Sequence, residues 1–526
     1  MRRSLFSASC FSLLSVFVSA SALTTLPLKS RDCTCSSAGA TRESFLLQIL
    51  TNSPEYGIFE VAPSTGPLTV GIIGAGAAGL YAAMILESLG IDYEVLESSQ
   101  RIGGRIFTYR FDEATWKKSK PGEPGYYNYY DVGAMRFPGM PWMHRVIGGE
   151  YRLYNNRLLY NQDAPTADAF DVETSDGGPI RNDDKLATTA AGVVLDEALQ
   201  DLIDVFSTSG FDAGFDHLMQ YDGVSLRQYL LSKNYTTQDV DWMETLTDAT
   251  THMDTYSLSQ AVLEQWIFNS APLDSWTAIE GGMDRLTHGM TQTLKNKPIL
   301  GKRVTTLMGY PNKTVTVAIS DGDLRTYAHI INTVPLGVMQ NMDMSTLDLD
   351  YNKTFAIRKL QYDPAGKIGM TFKTRWWETP QGESNKGFQG GQSYSDLSIR
   401  RCVYPSYGLN TPNASAAMIA SYTWGQDSAR LGAYYHTDSD RAYIANVTIR
   451  QLAAMNNVTE SFLHEQLVDM HLWDWYAHSD SAGAFAIFGP GEFSTVMPSL
   501  MKPGYLGRVH FAGEALSSRH AWIIGR

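Results

Sequence analysis

Cysteine, positive charge and long apolar runs are all scarce in this 526-residue sequence. Four cysteines are too few for a disulfide-rich scaffold. Lysine and arginine number 42 against 55 aspartate and glutamate residues, and the resulting net charge of −13 excludes the cationic surface that nucleic acids require. We therefore predict no nucleic-acid partner. No stable membrane span is expected either, because no uncharged stretch is long enough to cross a bilayer.

The motifs of metal and hydrolytic chemistry are also missing. The sequence has no H-E-x-x-H segment and no paired C-x-x-C, and its 11 histidines are scattered, so we predict no metal site. No G-x-S-x-G segment places a serine nucleophile on a strand-to-helix turn. Neither metal-assisted nor nucleophilic hydrolysis is supported.

The first residues have the order of segments typical of a secretory signal. Arg2 and Arg3 precede an apolar run from Leu5 to Val18, and small residues follow up to Ala22, where we predict cleavage. The alternative, a membrane anchor, needs a longer run, since a bilayer core is roughly 30 Å thick. We expect a secreted protein, and six N-x-S/T triplets agree with a glycosylated surface. The triplets begin at Asn234, Asn312, Asn352, Asn413, Asn446 and Asn457.

A β-α-β unit begins about 70 residues into the chain. Leu68–Ile73 predicts a buried strand, residues 77–89 a helix, and Tyr93–Leu96 a second strand that ends in Glu97. A G-x-G-x-x-G segment, residues 74–79, joins the first strand to the helix. Glu97 is then placed to bind a ribose 2′-hydroxyl, and a carboxylate there disfavours a 2′-phosphate.

The glycine-rich segment predicts a pyrophosphate site. Gly74 allows the tight turn, and Gly76 leaves room for a phosphate at the helix N-terminus, where Ala77 and Ala78 follow. Gly79 lets the helix and the strand pack closely. The pattern makes NADP a poor candidate and leaves NAD and FAD open.

Downstream, the periodicity changes twice. Residues 166–276 are predicted to be mainly helical, with apolar stripes over residues 193–206 and 258–268. After residue 302 the pattern is that of strands separated by turns. The predicted strands are Val304–Met308, Val315–Ile319 and Leu324–Thr333.

The segment after Glu97 favours FAD over NAD. Residues 101–105, Arg-Ile-Gly-Gly-Arg, resemble the R-x-G-G-R signature of the FAD-dependent amine oxidases, whose last arginine lies beside the flavin pyrophosphate. Arg105 suits that position, because a guanidinium offers paired donors to phosphate oxygens. The resemblance implies FAD as the cofactor.

Further segments resemble the same family in the same order, so that the resemblance runs from residue 68 to residue 526. Residues 133–138, Gly-Ala-Met-Arg-Phe-Pro, are similar to a motif of its L-amino-acid oxidase branch. Residues 280–286 resemble its G-G-M-x-x-L turn, and residues 509–514 with 520–523 resemble its F-A-G-E…G-W-I closing signature.

The resemblance implies roles for individual residues. Arg136 would bind the carboxylate of an amino acid through two hydrogen bonds, and Tyr422 would donate another to the same group. Lys367 would be the catalytic residue, holding a water near the reactive nitrogen of the flavin, while Ala521 and Trp522 would flank the substrate. The cofactor-binding residues would be Gly74, Gly76, Ala77, Ala78, Gly79, Glu97, Arg105, Gly133, Ala134, Met135, Arg136, Val304, Glu514, Trp522 and Ile523.

Plainer interpretations stay open for several of these residues. Arg136 could form a structural ion pair with Asp131, Tyr422 could be a core aromatic of a strand, and Lys367 could be exposed at a strand start. His252 could be a mobile gate from the helical part or a packing residue. Trp522 and other aromatics, as one wall of the site, would favour bulky apolar or aromatic substrates.

The implied fold class is α/β. It combines a Rossmann-like FAD-binding domain, assembled from discontinuous segments, with a mixed-sheet substrate-binding domain and a helical insert. The predicted divisions are a signal peptide (1–22), a leader (23–65), the FAD-binding domain (66–110, 277–345 and 482–526), the substrate-binding domain (111–165 and 346–481) and the helical domain (166–276).

The implied function is oxidative deamination of L-amino acids to 2-oxo acids, ammonia and H₂O₂, with O₂ as the electron acceptor. No cysteine follows Cys402, so we expect FAD to be bound without a covalent link. The expected partners are a small L-amino acid and O₂, and a homodimer is one compatible assembly.

Three alternatives stay open. The first two are an amine or polyamine oxidase and a flavin monooxygenase acting on amino acids. The third is an inactive FAD-binding protein, because the sequence ends at Arg526, where the family usually continues through a further helix, and has Ala521 where the family commonly has glycine.

Overall fold

A computed structural model describes most of the chain after residue 68. The described residues are 69–137, 144–145, 151–160, 168–182, 185–188, 191–247, 250–270, 277–311, 313–379, 387 and 389–517. The predicted signal peptide and leader lie outside them. Among the described helices, none combines the length and the apolar character needed to cross a bilayer.

The two strands of the first β-α-β unit belong to a four-stranded parallel sheet. Strand β1 (Thr69–Ile73) pairs with β2 (Asp92–Leu96) on one side and with β12 (His329–Asn332) on the other, and β20 (Val509–Phe511) pairs with β12. Helix α1 (Ala77–Ser88) follows β1 after the glycine-rich turn. The sheet combines strands β1 and β2, which are neighbours in the sequence, with two strands from distant parts of the chain, and this confirms the predicted discontinuous Rossmann-like fold.

A small antiparallel sheet of three strands precedes β12 in the chain, and it differs from one prediction made from the sequence. It contains β9 (Val304–Gly309), β10 (Val315–Ile319) and β11 (Leu324–Tyr327). The prediction of a single strand over Leu324–Thr333 is wrong, because the chain leaves this sheet after β11 and enters the parallel sheet as β12. No glycine or proline separates the two strands, so the pattern alone does not reveal the change of partner.

A seven-stranded mixed sheet forms the centre of the second region. Neighbouring strands in this sheet are antiparallel except β6 (Tyr151–Tyr154) and β15 (Gln392–Ser395), which run parallel to each other. All eight residues of β14 (Ala365–Phe372) are buried, so both faces of this strand are covered. In spatial order the strands are β18 (Leu467–Asp474), β14 (Ala365–Phe372), β17 (Ala416–Trp424), β16 (Arg401–Val403), β15 (Gln392–Ser395), β6 (Tyr151–Tyr154) and β7 (Arg157–Tyr160).

The helical region has its own apolar core, to which residues between 154 and 263 contribute. The predicted stripes at 193–206 and 258–268 both lie in helices, as expected. Ser225 and Thr236 each begin a helix with a capping box, which satisfies main-chain N–H groups of the first turn. The helices are α3 (Lys185–Thr188), α4 (Ala191–Met219), α5 (Leu226–Ser232), α6 (Thr237–Leu246), α7 (His252–Thr255) and α8 (Leu258–Ser270).

The other elements are two-stranded ribbons and surface helices. The ribbons pair β3 (Thr108–Arg110) with β4 (Tyr129–Asp131), β5 (His144–Arg145) with β8 (Thr277–Ala278), and β13 (Gln361–Tyr362) with β19 (Ala486–Ile487). The helices are α2 (Glu113–Lys118), α9 (Asp284–Thr293), α10 (Leu336–Met339), α11 (Tyr351–Lys359), α12 (Gly425–Gly432), α13 (Asp438–Asn456), α14 (Glu460–Gln466) and α15 (Glu492–Met501). The predicted domain boundaries stay a prediction.

Candidate active site

Glu97 lies at the glycine-rich turn, where the sequence placed it. Its Oε2 atom accepts a hydrogen bond of 2.7 Å from the main-chain N–H of Ala75, and its Oε1 atom accepts one of 2.9 Å from the N–H of Ser99. The side chain is buried. The carboxylate is therefore fixed at the ends of β1 and β2, beside the start of α1.

Two glycines of this turn, Gly79 and Gly76, are needed for different reasons. A Cβ atom at Gly79 would overlap the carbonyl oxygen of Gly74, so close packing of helix and strand demands glycine there. A Cβ atom at Gly76 would meet nothing nearer than 4.0 Å, the distance to the main chain of Gly103 and Gly104. Contacts within the protein do not require glycine at position 76. A ligand that approaches the N-terminus of α1 would require it, because a side chain there would block the approach. That end also has no side-chain cap. These features fit the pyrophosphate of FAD.

Arg105 and Glu514 come together from distant parts of the chain. The Arg105 Nη1 atom lies 3.0 Å from Glu514 Oε2 and donates a 2.9 Å hydrogen bond to the carbonyl oxygen of Ala484. The other carboxylate oxygen of Glu514 accepts from the N–H of Ala486 at 2.9 Å. Burial raises the pKa of Glu514, and the nearby guanidinium of Arg105 opposes that shift. Val304, also predicted to bind the cofactor, lies in the apolar core with Ile73 and Leu96.

Lys367 is enclosed on β14, so the alternative of an exposed lysine is wrong. Its side chain is buried, and Nζ donates hydrogen bonds of 2.9 and 2.7 Å to the main-chain oxygens of Asp131 and Gly133. Nζ also lies 3.7 Å from the sulfur of Met135. Burial lowers the pKa of Lys367, because the charged form loses hydration there.

Asp131 stabilises the same segment through its carboxyl group. That group accepts hydrogen bonds of 2.5 Å from Thr108 Oγ1 and 2.8 Å from the main-chain N–H of Met283. Burial raises the pKa of Asp131. The group thus joins β3, β4 and the start of α9, and it holds the chain just before residues 133–136.

Arg136 and Tyr422 both lie near Lys367, since each interacts with it electrostatically or through its ring. The Lys367 Nζ atom lies 4.6 Å from the centroid of the Tyr422 ring, and the two residues are opposite each other on β14 and β17. Arg136 is half-buried, and burial followed by the nearby charge of Arg401 lowers its pKa. The phenols of Tyr422 and Tyr394 oppose that shift. Three predicted site residues are therefore brought together, with their roles still predictions.

A second arginine, Arg401, lies in this region and is not among the site residues predicted from the sequence. The Arg401 Cζ atom lies 4.7 Å from the ring centroid of Tyr394 and 4.8 Å from that of Trp424. Trp424 in turn lies 5.0 Å from Tyr422, centroid to centroid. Residues 401–403 alone give no strand pattern, and the local sequence does not identify the neighbouring strands, so no signal near Arg401 indicated this position.

The contacts of His252 and Cys402 are those of residues that stabilise the fold. The His252 Nε2 atom lies 2.8 Å from Asp363 Oδ2, and the imidazole stacks on Tyr256 at 4.5 Å between centroids. This agrees with a packing role for His252. Cys402 is buried, and burial raises its pKa to about 11, so it is a thiol at neutral pH. Ala521, Trp522 and Ile523 lie outside the described residues.

Comparison with known proteins identifies the family of this chain. The sequence profile described as flavin containing amine oxidoreductase matches residues 77–525. The chain belongs to this family. It is therefore a flavin-dependent oxidoreductase of the class that acts on CH–NH₂ groups, which accounts for the glycine-rich turn and for Glu97.

Relatives of known name agree with this family. L-amino-acid oxidase 4 of Hebeloma cylindrosporum is 34% identical over 508 residues, which cover 87% of this chain and 79% of that protein. A putative bifunctional amine oxidase of Dictyostelium discoideum is 36% identical over 497 residues, or 87% of this chain, but this chain spans only 45% of that protein's length. L-amino-acid oxidase of Siganus canaliculatus is 27% identical, with 86% of this chain and 82% of that protein covered.

Solved flavoenzymes share the fold. Putrescine oxidase bound to putrescine superposes with a TM-score of 0.62 at 16% identity, over 86% of this chain and 95% of that one. Cyclohexylamine oxidase from Brevibacterium oxydans gives a TM-score of 0.62 at 17% identity, over 87% and 96%. These likenesses establish a Rossmann-like flavoenzyme fold and leave the substrate to the site residues.

Proposed function

We propose that this protein is an L-amino-acid oxidase that converts its substrate to a 2-oxo acid, ammonia and H₂O₂. The observation that supports it best is the half-buried guanidinium of Arg136, near the phenol of Tyr422 and the amino group of Lys367. A simple amine has no anion to offer such a cation, whereas the carboxylate of an amino acid matches its paired donors. The relatives named as L-amino-acid oxidases support the same substrate class.

In this proposal the chain positions the substrate and excludes water. Arg136 and Tyr422 bind the carboxylate and so fix the orientation of the α-carbon, which lowers the entropic part of the barrier. The chemistry that FAD would supply here, when bound, is the acceptor for the hydride and the route of the electrons to O₂. The substrate amine must be neutral for the α-hydrogen to leave with its electrons, so activity should fall at acid pH.

We propose that FAD is held without a covalent bond. The glycine-rich turn, Glu97, Arg105 and Glu514 would hold the cofactor through its phosphates and sugars. Cys402, the last cysteine of the sequence, is buried in the core of the mixed sheet and is unsuited to flavin attachment. Acid precipitation of the yellow protein should leave all of the flavin in the supernatant, whereas flavin in the pellet would contradict this proposal.

A single experiment separates the substrate proposal from its alternatives. Purified protein is made anaerobic, mixed with a panel of L-amino acids, putrescine and cyclohexylamine, and followed at the flavin absorption band. We expect bleaching by L-amino acids and recovery of the colour in air, with equal amounts of 2-oxo acid and H₂O₂. Bleaching by the amines alone would indicate an amine oxidase, amide with CO₂ would indicate a monooxygenase, and no bleaching would indicate an inactive protein.

We also propose that the protein is secreted and glycosylated. The five acceptor asparagines among the described residues are all exposed: Asn234, Asn352, Asn413, Asn446 and Asn457. Expression of the full chain in a eukaryotic host should give protein in the medium that begins near residue 23 and loses mass on treatment with an N-glycosidase. A protein retained in the cells at full length would contradict the proposal. Light scattering of the same sample would test the homodimer.

A further inference from the structure

Lys367 and Tyr422 lie opposite each other in a short section of strand pairing. The register of β14 and β17 shifts directly after Ile368, because β17 has one extra residue there, Ala420. A bulge of this kind disrupts the ladder locally and bends the strand. The end of β17 that carries Tyr422 is therefore separated from the rest of its pairing with β14.

A buried carboxyl group joins the two strands at their open end. Asp363 lies just before β14, and Gly425 directly follows β17. The Oδ2 atom of Asp363 accepts a 3.1 Å hydrogen bond from the main-chain N–H of Gly425, which also donates to the carbonyl oxygen of Pro364 at 2.9 Å. Asp363 is only 5% exposed, so water competes little for its carboxyl group. This bond fixes the chain three residues after Tyr422.

A histidine of the helical region holds the same carboxylate oxygen. The Nε2 atom of His252 lies 2.8 Å from Asp363 Oδ2, and both side chains are buried. Because a carboxylate oxygen accepts, Nε2 is the donor of this hydrogen bond. The imidazole packs between the rings of Tyr256, at 4.5 Å, and Trp424, at 6.5 Å, measured between centroids. His252 therefore fixes the direction of the Asp363 carboxyl group.

Gly425 shows how closely the helical region approaches the end of β17. Its φ is +61°, and a Cβ atom there would lie 3.0 Å from the carbonyl oxygen of Thr250 and 3.3 Å from the His252 ring. The Oγ1 atom of Thr250 also donates a 2.8 Å hydrogen bond to Asp427 on α12. The helical region is thus attached directly to the strand end that carries Tyr422.

We propose that His252 and Asp363 are positioning residues for the substrate carboxylate. They act through Tyr422, because the hydrogen bond to Gly425 holds the end of β17 and so sets where the phenol lies relative to Lys367. A binding group must stay within about 0.5 Å of its productive position to be effective. The inference rests on the proposed L-amino-acid oxidase function and adds a residue of the helical region to carboxylate binding.

The test separates the hydrogen bond of His252 from the packing of its ring. His252→Phe keeps an aromatic ring and removes the donor, whereas His252→Gln keeps an N–H donor. With the best L-amino-acid substrate of the unaltered enzyme, we expect KM to rise at least about fivefold in His252→Phe, with little change in kcat. KM should return to within about twofold of the unaltered value in His252→Gln.

His217 supplies the matched control. It is half-buried on α4 of the same helical region and packs against Tyr221, with 5.7 Å between ring centroids. His217→Phe makes the same chemical change and should leave KM and kcat unaltered. Flavin content and melting temperature, measured for every variant, report whether the fold is intact.

A double-variant cycle tests whether the two residues act as one unit. Asp363→Ala removes the acceptor of both hydrogen bonds, so KM should rise at least as much as in His252→Phe. The double variant should then have the KM of Asp363→Ala, whereas independent residues would give multiplied effects. If His252→Phe fails to fold, Asp363→Ala and His252→Gln still provide the comparison.

Butyrate binding examines the carboxylate site without turnover. Butyrate is titrated into the oxidised holoenzyme, and the change in the flavin spectrum reports its Kd. The Kd should rise in His252→Phe by about the same factor as KM, and it should stay constant in His217→Phe.

Three outcomes would overturn the inference and leave the proposed function intact. Unchanged KM and Kd in folded His252→Phe and Asp363→Ala would mean that the pair does not position Tyr422. An equal rise of KM in His217→Phe would indicate a general loosening of the helical region. A fall in kcat at constant KM would assign the pair to the hydride step rather than to carboxylate binding. An unaltered enzyme that oxidises amines but no amino acid would instead remove the proposed function, and this inference with it.

Discussion

The Nζ atom of Lys367 lies 2.7 Å from the main-chain oxygen of Gly133, three residues before Arg136. A second hydrogen bond from the same atom holds the oxygen of Asp131. A lysine on β14 therefore fixes the path of the segment that presents the carboxylate-binding arginine. Lys367 is a positioning residue in the structure, in addition to the role near the flavin that the family resemblance implies.

Replacing Lys367 with methionine tests this positioning role. Methionine fills a similar volume and donates no hydrogen bond, so residues 131–136 should lose their fixed path. Leaving buried carbonyl oxygens without a hydrogen-bond donor costs about 1–3 kcal/mol, so we expect KM for the amino acid to rise roughly tenfold. Steady-state kinetics, with flavin content measured alongside, would detect it.

The chain offers a matched control for that variant. Lys353 is also buried and also donates to two main-chain oxygens, those of Ser499 and Lys502, but it lies on α11. Lys353→Met should lower the melting temperature and leave KM unchanged. If both variants raise KM equally, the effect of Lys367 is a general loss of stability rather than positioning.

Replacing Arg136 with alanine tests the substrate assignment directly. Removing one partner of a buried charge pair costs about 2–5 kcal/mol, so kcat/KM for L-amino acids should fall at least about thirtyfold. Bound flavin should be retained, because the turn at residues 74–79 and Glu97 are untouched. Kinetics equal to those of the unaltered enzyme would remove the amino-acid assignment.

The contrast between Gly79 and Gly289 gives a prediction for the cofactor site. A Cβ atom at Gly79 would overlap the carbonyl oxygen of Gly74, so Gly79→Ala should push α1 away from β1. Overpacking of this kind costs roughly 1–3 kcal/mol, and the displaced helix end should bind FAD poorly. The ratio of flavin to protein absorbance, together with the melting temperature, measures both effects.

Gly289 supplies the control, because it is exposed on α9 and a Cβ atom there would meet nothing within 4 Å. Gly289→Ala should keep its flavin and gain roughly 0.5–1 kcal/mol of stability from the better helix former. Equal flavin contents in the two variants would contradict the close packing at Gly79.

Local patterns were enough to predict the first β-α-β unit, because its turn, helix and strands are adjacent in the chain. The position of Glu97 at the turn was predictable for the same reason, because this residue directly follows the second strand. The split between β11 and β12 was not predictable, since no glycine or proline separates them and only their partner strands differ. Arg401 was not predicted either, because it lies opposite Tyr422 only through the register of β16 and β17, and these strands come from separate segments of the sequence.

Buried histidines of the parallel sheet predict a loss of stability at acid pH. His510 on β20 lies 3.2 Å from His329 on β12, ring nitrogen to ring nitrogen, and Arg508 lies 2.9 Å from the other nitrogen of His329. Burial lowers the pKa of His510 to about 3 and that of His329 to about 4, with a further contribution from Arg508. Both rings are therefore neutral in the folded protein at pH 5.

The sign follows from the unfolded chain, in which histidine has a pKa near 6.5. As the pH falls from about 6.5 toward 4, the unfolded chain takes up protons that the folded protein does not, so the free energy of unfolding decreases. Each histidine contributes up to about 1.4 kcal/mol per pH unit. For His510→Asn we therefore expect the loss of stability between pH 7 and pH 5 to be smaller by about 2 kcal/mol. Urea unfolding at both pH values measures the difference, and parallel losses in the two proteins would mean that His510 is not neutral in the fold.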